Sequence, residues 1–386
     1  MDKVFAEYQA VLADCKASVE AIDLPKEMGY QVSFAIFSAN LTNFLPAIAR
    51  SEHAGLYREL LLHKTYENFD QQVLSILDFT DLEGNVDLFN DPSQNFIVSA
   101  FHLGSYRSIG NLLLRKGYEF SLMVRKEIYA EQMDQFLDIK QKMQNQFGTS
   151  NNSHVLNAED PSVLVKILRE LRDGRSLLTY LDGNTGTDTK DKLVEIGFLN
   201  QRILARKGLA YLSYMAKVPI VPVICYRRAN GRNVMHIGTP VSPDATSDRE
   251  QYAQETTQTM FNFLGSFLNK YPSQWEGWHY VHKFLKPTTP TFPTVRTTKK
   301  LSYHFNTTRY VIFDLQTSPL LFDNASYQTY EITPDLKELL LDSNSQNQRK
   351  ILGSPLFNDL IQRQILIWAN FGPCMGVPKF RKHNSF

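Results

Sequence analysis

The sequence predicts an α/β fold in which a mixed sheet is flanked by helices. Between residues 95 and 269, short apolar runs typical of buried strands alternate with longer segments whose apolar residues recur at helical spacing. Of the 386 residues, 43% are hydrophobic and 21% are charged, an ordinary balance for a globular protein with a sizeable core. A stretch rich in proline and threonine, residues 287–299, predicts a linker into a second, smaller domain.

These observations divide the chain into four parts. Residues 1–90 are predicted to form an N-terminal helical cap, because their apolar residues recur at helical spacing. The polar segment 81–92 is then a connection into the first strand. Residues 91–286 are the predicted α/β domain, residues 287–299 the linker, and residues 300–386 a small α+β domain.

The elements of the two predicted domains follow in order along the chain. Apolar runs in the first domain predict strands over residues 96–101, 120–124, 176–181, 220–226 and 234–237 with Val241. Helical spacing predicts helices over residues 106–116, 131–147, 161–172, 208–216 and 248–269, while 151–157 is a loop or a short strand. The second domain is predicted to hold strands over residues 310–315, 320–322 and 327–332 and helices over 334–341 and 356–369.

Charge and cysteine usage exclude several classes of protein. The net charge of +1 gives no bulk attraction to nucleic acid, although local basic patches leave peripheral membrane contact open. Cys15, Cys225 and Cys374 lie far apart and match neither a disulfide framework nor a metal motif, which favours a reducing compartment. No run of about 18 apolar residues occurs and the N-terminus is charged, so we expect no transmembrane segment and a cytoplasmic location.

The stretch from Asn95 to Gly117 predicts a strand, a tight turn and a helix, with His102 in the turn. Ser105 is predicted to cap the helix and Gly117 to end it. In open α/β sheets ligands bind beyond the carboxyl ends of the strands, where a histidine can act as a general base near neutral pH. The alternative is a turn histidine that only hydrogen-bonds to the backbone.

Several stretches together resemble the lipid A biosynthesis (lauroyl or myristoyl) acyltransferase family of the lysophospholipid acyltransferase-like superfamily. The resemblance covers about residues 35–286 and depends on the order and spacing of its motifs. They are NLTNFLPAIARSEHAGLYRE (40–59), FHLGSYRSIGNLLLRKG (101–117), LRDGRSLLTYLDGN (171–184), VEIGFLNQRILARKGLAYLSYMAKVPIVPVICYR (194–227) and PSQWEGWHYVHKF (272–284). It implies a glycerolipid acyltransferase-like fold with no bound cofactor and no metal.

The resemblance also implies a reaction, acyl transfer from acyl carrier protein or coenzyme A, with the carrier protein as a partner. His102 would take the acceptor's proton, because it matches the histidine of the family motif His-x4-Asp/Glu. The chain departs from that motif at Arg107, since arginine cannot accept a hydrogen bond from the imidazole. Either Asp182 or Glu195 orients His102 instead, or the acceptor is an amine, which demands less of the base. Arg107 would then bind a carboxylate or phosphate of a substrate.

Two further substrate-binding residues are implied by the resemblance. Arg125, at the end of a predicted strand, matches an arginine that the family uses near the substrate. Its alternative is an ion pair with Glu127 or Glu131. Gly197, with Phe198, lies where the family shapes its acyl channel, and its alternative is a plain turn.

A third substrate-binding residue, Arg206, lies in a cationic cluster with Arg202 and Lys207, just before a predicted helix. Cations beside a helix start can hold the phosphate of a phosphopantetheine arm or of coenzyme A. The alternative is a solvated helix face. His279 and His282, flanked by two tryptophans, are interpreted as a packed structural corner rather than a zinc site.

Three functions remain open at this point. The first is an acyltransferase acting on a hydroxyl or amine of a soluble or carrier-bound acceptor in specialised metabolism, because the family's usual N-terminal membrane anchor is not seen here. The second is an inactive acyl- or carrier-binding protein whose C-terminal domain docks a partner. In that domain LLFDNASYQTYEIT (320–333) resembles peptide-chaperone-like modules of ribosomal peptide pathways. The third is a thioester hydrolase, which the lack of a G-x-S-x-G elbow disfavours.

Overall fold

The computed structural model describes nine ranges of the chain. They are residues 2–23, 28–71, 73–148, 153–183, 192–244, 248–286, 303–314, 318–342 and 353–368. The predicted linker, residues 287–299, lies outside the described residues. The described chain divides into two compact units, the first from Met1–Leu24 and Ile36–Lys286 and the second from Pro25–Ala35 and Pro287–Phe386.

The first unit is built on a mixed sheet with the spatial order β1-β9-β8-β2-β5-β3-β4. The strands from β8 to β4 in this order run parallel, whereas β9 pairs antiparallel with β8 and parallel with β1. Strands β6 and β7 form a separate antiparallel hairpin. The bounds are β1 Thr80–Gly84, β2 Ile97–Ala100, β3 Phe120–Val124, β4 His154–Asn157, β5 Ser176–Tyr180, β6 Leu193–Phe198, β7 Gln201–Arg206, β8 Ile220–Arg227 and β9 Asn233–Ile237.

Helices precede the sheet and connect its strands. The α-helices are α1 Asp2–Glu20, α2 Met28–Phe44, α3 His53–Asp70, α4 Ser108–Arg115, α5 Lys126–Phe147, α6 Val163–Arg172, α7 Gly208–Ala216 and α8 Arg249–Leu268. Shorter 3-10 segments are Arg50–Glu52, Leu74–Phe79, Val86–Asn90, Pro272–Gln274, Glu276–His279 and Val281–Phe284. The fold class is therefore mixed α/β, as predicted.

The core forms where the central strands are covered on both faces. Every residue of β2 and β8 is buried, which explains why their apolar runs are continuous rather than alternating. Helix α4 adds Ile109, Leu112 and Leu113 to this core, and their spacing is the helical one predicted from the sequence. Full burial of each such side chain stabilises the fold by about 1.5–3 kcal/mol.

The entry into α4 differs from the prediction. The residue that caps this helix is Arg107, and its first turn begins at Ser108. The Ser105 hydroxyl donates instead to the buried Asp70 carboxylate of α3, so the predicted capping role of Ser105 is wrong. Gly117 does follow the helix end, with a φ of +79° in the left-handed region that glycine adopts without strain.

The strand β1 and the hairpin of β6 and β7 also differ from the predictions, whereas residues 154–157 form one of the two structures predicted for them. The predicted helical cap contains β1, an edge strand with the polar sequence TDLEG that pairs with β9. Its sequence lacks strand periodicity because only Leu82 packs against the core, while Asp81 and Glu83 form ion pairs with Arg228 near the end of β8. The hairpin of β6 and β7 was not predicted as strands, and residues 154–157 form the strand that the sequence left open.

The second unit is a small α+β fold with two antiparallel sheets. One has the order β11-β12-β13 and the other pairs β10 with β14. The bounds are β10 Tyr303–Phe305, β11 Tyr310–Asp314, β12 Pro319–Asp323, β13 Thr329–Glu331, α9 Pro334–Leu341, α10 Pro355–Gln362 and β14 Leu366–Trp368. The helix predicted over 356–369 is wrong at its end, because 366–368 pair as a strand with β10.

Candidate active site

The carboxyl ends of two neighbouring strands bring the candidate site together. β2 ends at Ala100 and β5 at Tyr180, and these two residues are partners in the parallel register. His102 and Asp182 each follow two positions beyond, so the sheet sets them side by side. The N–H of Leu181 donates to the carbonyl of Ala100 over 3.0 Å and extends the ladder to the edge of the site.

The carboxylate of Asp182 is the centre of this arrangement and is only 1% exposed. It lies 2.8 Å from Nδ1 of His102 and accepts from the His102 backbone N–H over 3.0 Å. The indole N–H of Trp275 donates to it over 2.6 Å. A carboxylate only accepts, so Nδ1 carries its hydrogen and the second ring nitrogen, Nε2, is left for a substrate.

The turn that carries His102 is held from its far side by the segment around Trp275. The His102 carbonyl accepts from the N–H of Glu276 over 2.9 Å, and the N–H of Gly104 donates to the carbonyl of Gln274 over 2.8 Å. Gly104 has a φ of +56°, and a Cβ at this position would lie 2.4 Å from the carbonyl oxygen of Cys225. Only glycine fits this turn, because any side chain would collide with the backbone of β8.

Two opposing influences act on the pKa of His102. Burial lowers this pKa, whereas the charge of Asp182 and its hydrogen bond raise it. The carboxylate prevails, and the pKa of His102 lies above its ordinary value of 6.5. Asp182 therefore stabilises the protonated imidazole, the form that a general base reaches after it has taken a proton.

Three tyrosines surround the imidazole. The rings of Tyr106 and Tyr180 lie with their centroids 4.9 Å from that of His102. The hydroxyl oxygen of Tyr280 is 3.5 Å from Nδ1. Nδ1 already gives its one hydrogen to Asp182 and has no lone pair to offer, so the Tyr280 proton remains available to another acceptor.

The imidazole opens onto a cavity of about 680 Å³. Apolar side chains from β3, α4, α5 and α7 make up much of its wall, among them Leu114, Phe120, Leu122, Ile128, Phe136 and Leu209. Charged side chains line other parts, namely Lys64, Arg107, Arg125, Arg206 and Glu276. A mostly apolar pocket with a few placed polar groups is typical of a small-molecule site.

Arg107 occupies the position where the family motif has its carboxylate. Its guanidinium forms an ion pair with Glu67 of α3 and lies 5.0 Å from the centroid of the Tyr106 ring. Burial raises the pKa of Glu67 to about 8, although the charge of Arg107 acts in the opposite direction. Arg107 is 28% exposed and lines the cavity while it stays paired with the protein's own carboxylate.

Arg125 and Arg206 also line the cavity. Arg125 is exposed and caps the start of α5, and among the described residues no ion pair joins it to Glu127 or Glu131. The guanidinium of Arg206 donates to the carbonyl of Gly183 over 3.1 Å, just beyond Asp182. Both cations can therefore reach a ligand in the cavity.

The remaining members of the predicted cation cluster point elsewhere. Arg202 pairs with Glu195 over 2.8 Å, and Lys207 pairs with Glu250 over 2.6 Å. Neither cation is among the residues that line the cavity, so of the three only Arg206 faces it. Glu195 also binds Lys286 over 2.7 Å on the exposed side of the hairpin, and it does not contact His102.

Gly197 does not line the cavity either. Its N–H donates to the side-chain oxygen of Gln258 over 2.9 Å, and its carbonyl accepts from the Gln258 amide over 2.7 Å. Phe198 is buried edge-on against Trp275, with ring centroids 5.7 Å apart. The structure thus places Gly197 in contact with α8, away from the channel position implied by the resemblance.

The two histidines near the end of the first unit are packed as a structural corner. Burial, with neighbouring lysine charge, lowers the pKa of both His279 and His282 to about 4. The ring of His279 packs edge to face against Tyr57, and those of Trp275 and Trp278, which precede it in the sequence, pack edge to face with centroids 4.8 Å apart. Within the described ranges, no group of three or more metal-ligating side chains occurs.

Several side chains of the site are not predicted from the sequence, among them Trp275, Glu276, Tyr280 and Glu67. The first three belong to the motif PSQWEGWHYVHKF, which carries part of the family resemblance, but only its two histidines receive an interpretation there. Glu67 of α3 was not considered because it lies 40 residues before Arg107. The signal for the first three was their place in one motif, whereas nothing in the local sequence points to Glu67.

A second buried network lies directly behind the His102 turn. The Asp70 carboxylate forms an ion pair with Arg227 and also accepts from the Ser105 hydroxyl. It accepts from the Tyr8 hydroxyl over 2.6 Å and from the Asn233 amide over 3.0 Å. The network therefore joins α1, α3 and the ends of β8 and β9 to the turn that carries the imidazole.

Comparisons with known proteins identify the family. The profile of the bacterial lipid A biosynthesis acyltransferases matches residues 68–286, more than half of the chain. No curated protein matches the sequence. Among solved structures, the chain is similar to the 1-acyl-sn-glycerophosphate acyltransferase PlsC from Thermotoga maritima, with 17% identity, coverage of 69% of this chain and 99% of that one, and a TM-score of 0.32.

No helix within the described ranges has both the length and the apolar character needed to cross a membrane.

The family profile spans the His102 turn, Asp182 and the segment that carries Trp275 and Tyr280. Because it also covers more than half of the chain, the protein belongs to the bacterial lipid A biosynthesis acyltransferase family, a family of acyltransferase enzymes.

Proposed function

We propose that the protein transfers an acyl group from a thioester of acyl carrier protein or coenzyme A to a hydroxyl or amine of a soluble or carrier-bound acceptor. The observation that carries this proposal is the 2.8 Å contact between Asp182 and Nδ1 of His102 at the mouth of a largely apolar cavity. The contact leaves Nε2 as a base, and the apolar wall suits an acyl chain.

In the proposed mechanism, Nε2 of His102 takes the proton of the acceptor while the acceptor atom attacks the thioester carbonyl carbon. A bond from carbon to oxygen or nitrogen forms and gives a tetrahedral intermediate. The carbon–sulfur bond then breaks, and the leaving thiolate takes the proton from His102. Asp182 stabilises the imidazolium between these two proton transfers, as the buried carboxylate of a serine protease triad does.

Tyr280 is the proposed donor to the oxyanion of that intermediate. Its hydroxyl lies beside the imidazole, and its proton has no acceptor at Nδ1. Burial and then the charge of Asp182 raise the pKa of Tyr280 well above its ordinary value, so the hydroxyl keeps its proton at neutral pH. A preorganised donor in a partly dry site stabilises developing negative charge strongly.

The cationic side chains of the cavity are the proposed contacts for the acyl donor, the thioester of acyl carrier protein or coenzyme A. Arg125 and Arg206, with Lys64 of α3, face the cavity from three different elements. Guanidinium groups bind phosphate oxygens through paired hydrogen bonds, so these side chains suit the phosphate of a phosphopantetheine arm. Arg107 supports the site less directly, because Glu67 already engages it.

The alternative of an inactive binding protein depended on an imidazole without an acidic partner. Asp182 lies within hydrogen-bond distance of His102, and this supports the enzyme over the binder. The carboxylate comes from the end of β5 instead of the fifth residue after the histidine. We infer that Asp182 fills the orienting role that the family motif gives to a carboxylate at position 107.

The experiment that tests the proposal is intact-mass and thiol-release analysis with a panel of acyl carrier protein and coenzyme A thioesters, offered with soluble amines and alcohols. We expect acyl transfer that falls by about 10²–10⁴ in His102→Ala, the usual contribution of a general base. Glu195→Gln is the matched control, since that carboxylate lies on the exposed hairpin. Turnover that survives in folded His102→Ala would remove the proposed mechanism.

A further inference from the structure

We propose that the acceptor is a primary amine, bound as its ammonium ion by the carboxylate of Glu276. This inference rests on the proposed function and names the acceptor class for the same site. It follows from the position of Glu276, from the lack of a partner for its carboxylate within the described residues, and from the distribution of charge around His102.

Glu276 is fixed directly beside the base. Its backbone N–H donates to the carbonyl of His102 over 2.9 Å. The preceding residue, Trp275, is anchored to Asp182 through its indole N–H over 2.6 Å. The side chain of Glu276 lines the same cavity as His102 and Tyr280, so its carboxylate faces the space in which an acceptor would lie.

The other carboxylates near the base are less suited to an acceptor. Asp182 accepts from three donors. Glu67 pairs with Arg107 through one oxygen, its other oxygen is buried, and it is not among the residues that line the cavity. In the described part of the chain, the carboxylate of Glu276 has neither a hydrogen bond nor an ion pair. A half-buried charge without a partner is unfavourable, and a bound cation with N–H donors would remove that cost.

The charge of Glu276 acts on the catalytic groups themselves. Burial lowers the pKa of His102, whereas the charges of Asp182 and then of Glu276 raise it. Lys64, Arg125 and Arg206 suit an anionic acyl donor, and Glu276 suits a cationic acceptor, so the cavity offers each substrate a side chain of opposite charge.

With an amine as acceptor, every bond and proton of the transfer is accounted for. The ammonium ion first loses one proton to solvent and becomes a neutral amine held by Glu276. Its nitrogen attacks the thioester carbonyl, a carbon–nitrogen bond forms, and a second N–H proton passes to Nε2 of His102. The carbon–sulfur bond breaks and His102 returns that proton to the thiolate, which leaves an amide, a thiol and the one proton released to solvent.

The test compares acceptors that differ only in the attacking group. Dodecanoyl coenzyme A and dodecanoyl acyl carrier protein are offered with 2-phenylethylamine or 2-phenylethanol, and with glycinamide or glycolamide. We expect amide to form faster than ester with the wild-type protein. Glu276→Gln keeps the shape and removes the charge, so the preference for amine over alcohol in kcat/KM should fall by about 10–100-fold, mainly through KM.

Glu195→Gln is again the control and should keep the wild-type preference. The wild-type comparison needs no variant, so poor folding of Glu276→Gln would not hide the answer. If thioester is consumed in a His102-dependent way but esters form as fast as amides, or Glu276→Gln keeps the preference, the inference fails and the proposed function stands. If no His102-dependent consumption of thioester occurs, both fail.

Discussion

Replacement of Asp182 by asparagine is the sharpest test of how this site works. The carboxylate accepts from three donors, the backbone N–H and Nδ1 of His102 and the indole of Trp275. Asparagine offers one oxygen and one NH2 group, so at least one of these donors would face another donor. If the NH2 group faces Nδ1, the imidazole keeps its hydrogen on Nε2 and cannot act as a base.

The expected loss follows from this change of tautomer. The same substitution in the serine protease triad lowers kcat by about 10⁴, which corresponds to about 5.4 kcal/mol of transition-state stabilisation. We expect a loss of this order for Asp182→Asn. The fold should lose less, about 1–3 kcal/mol, because one buried donor loses its acceptor while the packing is kept.

The pH dependence gives a second readout of the same variant. His102 must be neutral to act as a base, so the wild-type rate should rise with pH through a pKa above 6.5. The charge of Asp182 is what raises that pKa against burial, so in Asp182→Asn the acid limb should move to lower pH. A raised histidine pKa also stabilises the fold at low pH, and this contribution fades as pH rises through the folded-state pKa.

The assay is thiol release from the thioester donor between about pH 5 and pH 9, with thermal unfolding as a check on the fold. Glu195→Gln, on the exposed hairpin, should keep both the rate and the pH profile of the wild type. A folded Asp182→Asn protein with wild-type kcat/KM, or with an unmoved acid limb, would show that Asp182 does not orient the catalytic imidazole.

Three further variants test the oxyanion donor and the acyl cavity. Tyr280→Phe removes one hydroxyl and keeps the ring, so kcat measured by thiol release should fall by about 10²–10³ with little change in KM. An unchanged kcat would exclude the hydroxyl as a donor. Gly110 lines the cavity, and a Cβ there would lie 3.6 Å from Leu178 and 3.9 Å from Phe120. Gly110→Leu should therefore shift the preference in a series of acyl thioesters toward shorter chains, while Gly110→Ala keeps it and stabilises α4 by about 0.5–1 kcal/mol. The same chain-length optimum in both variants would show that acyl chains do not occupy this part of the cavity.

Strands and helices that pack in the core can be predicted from the sequence, because the pattern of their apolar residues follows from burial. Strand β3 and helix α7 have the predicted bounds, 120–124 and 208–216. Strand β1 was assigned to the helical cap because its TDLEG sequence carries no apolar pattern, and only its partner β9 makes it a strand. Edge strands of this kind are set by tertiary pairing, which a local sequence does not contain.

In the candidate site, too, some residues can be predicted from local sequence and others depend on tertiary contacts. The rule about strand ends predicts that His102 and Asp182 can approach each other, since parallel neighbours end at one edge of the sheet. The sequence leaves Glu195 open as an alternative partner, and the choice of His102 as the base depends on the family resemblance. The catalytic roles of His102 and Asp182 remain predictions. Tyr280 was not selected, because its position beside His102 arises from a backbone segment 178 residues away. The pairing of Arg107 with Glu67 is equally non-local. The spacing of residues in the motif therefore cannot predict which group Arg107 contacts.

The buried ion pair between Asp70 and Arg227 connects helix α1 to the domain that carries the candidate site. The family profile begins at residue 68, yet the network around Asp70 includes the hydroxyl of Tyr8 on α1. A buried ion pair that loses a partner typically destabilises a fold by about 3–5 kcal/mol, and Tyr8 is one of the groups that complete the polar shell here. Through Ser105 the same shell reaches the turn that carries His102. Helix α1 therefore contributes to the buried network behind the turn that carries the imidazole, although it lies outside the residues that the family profile matches.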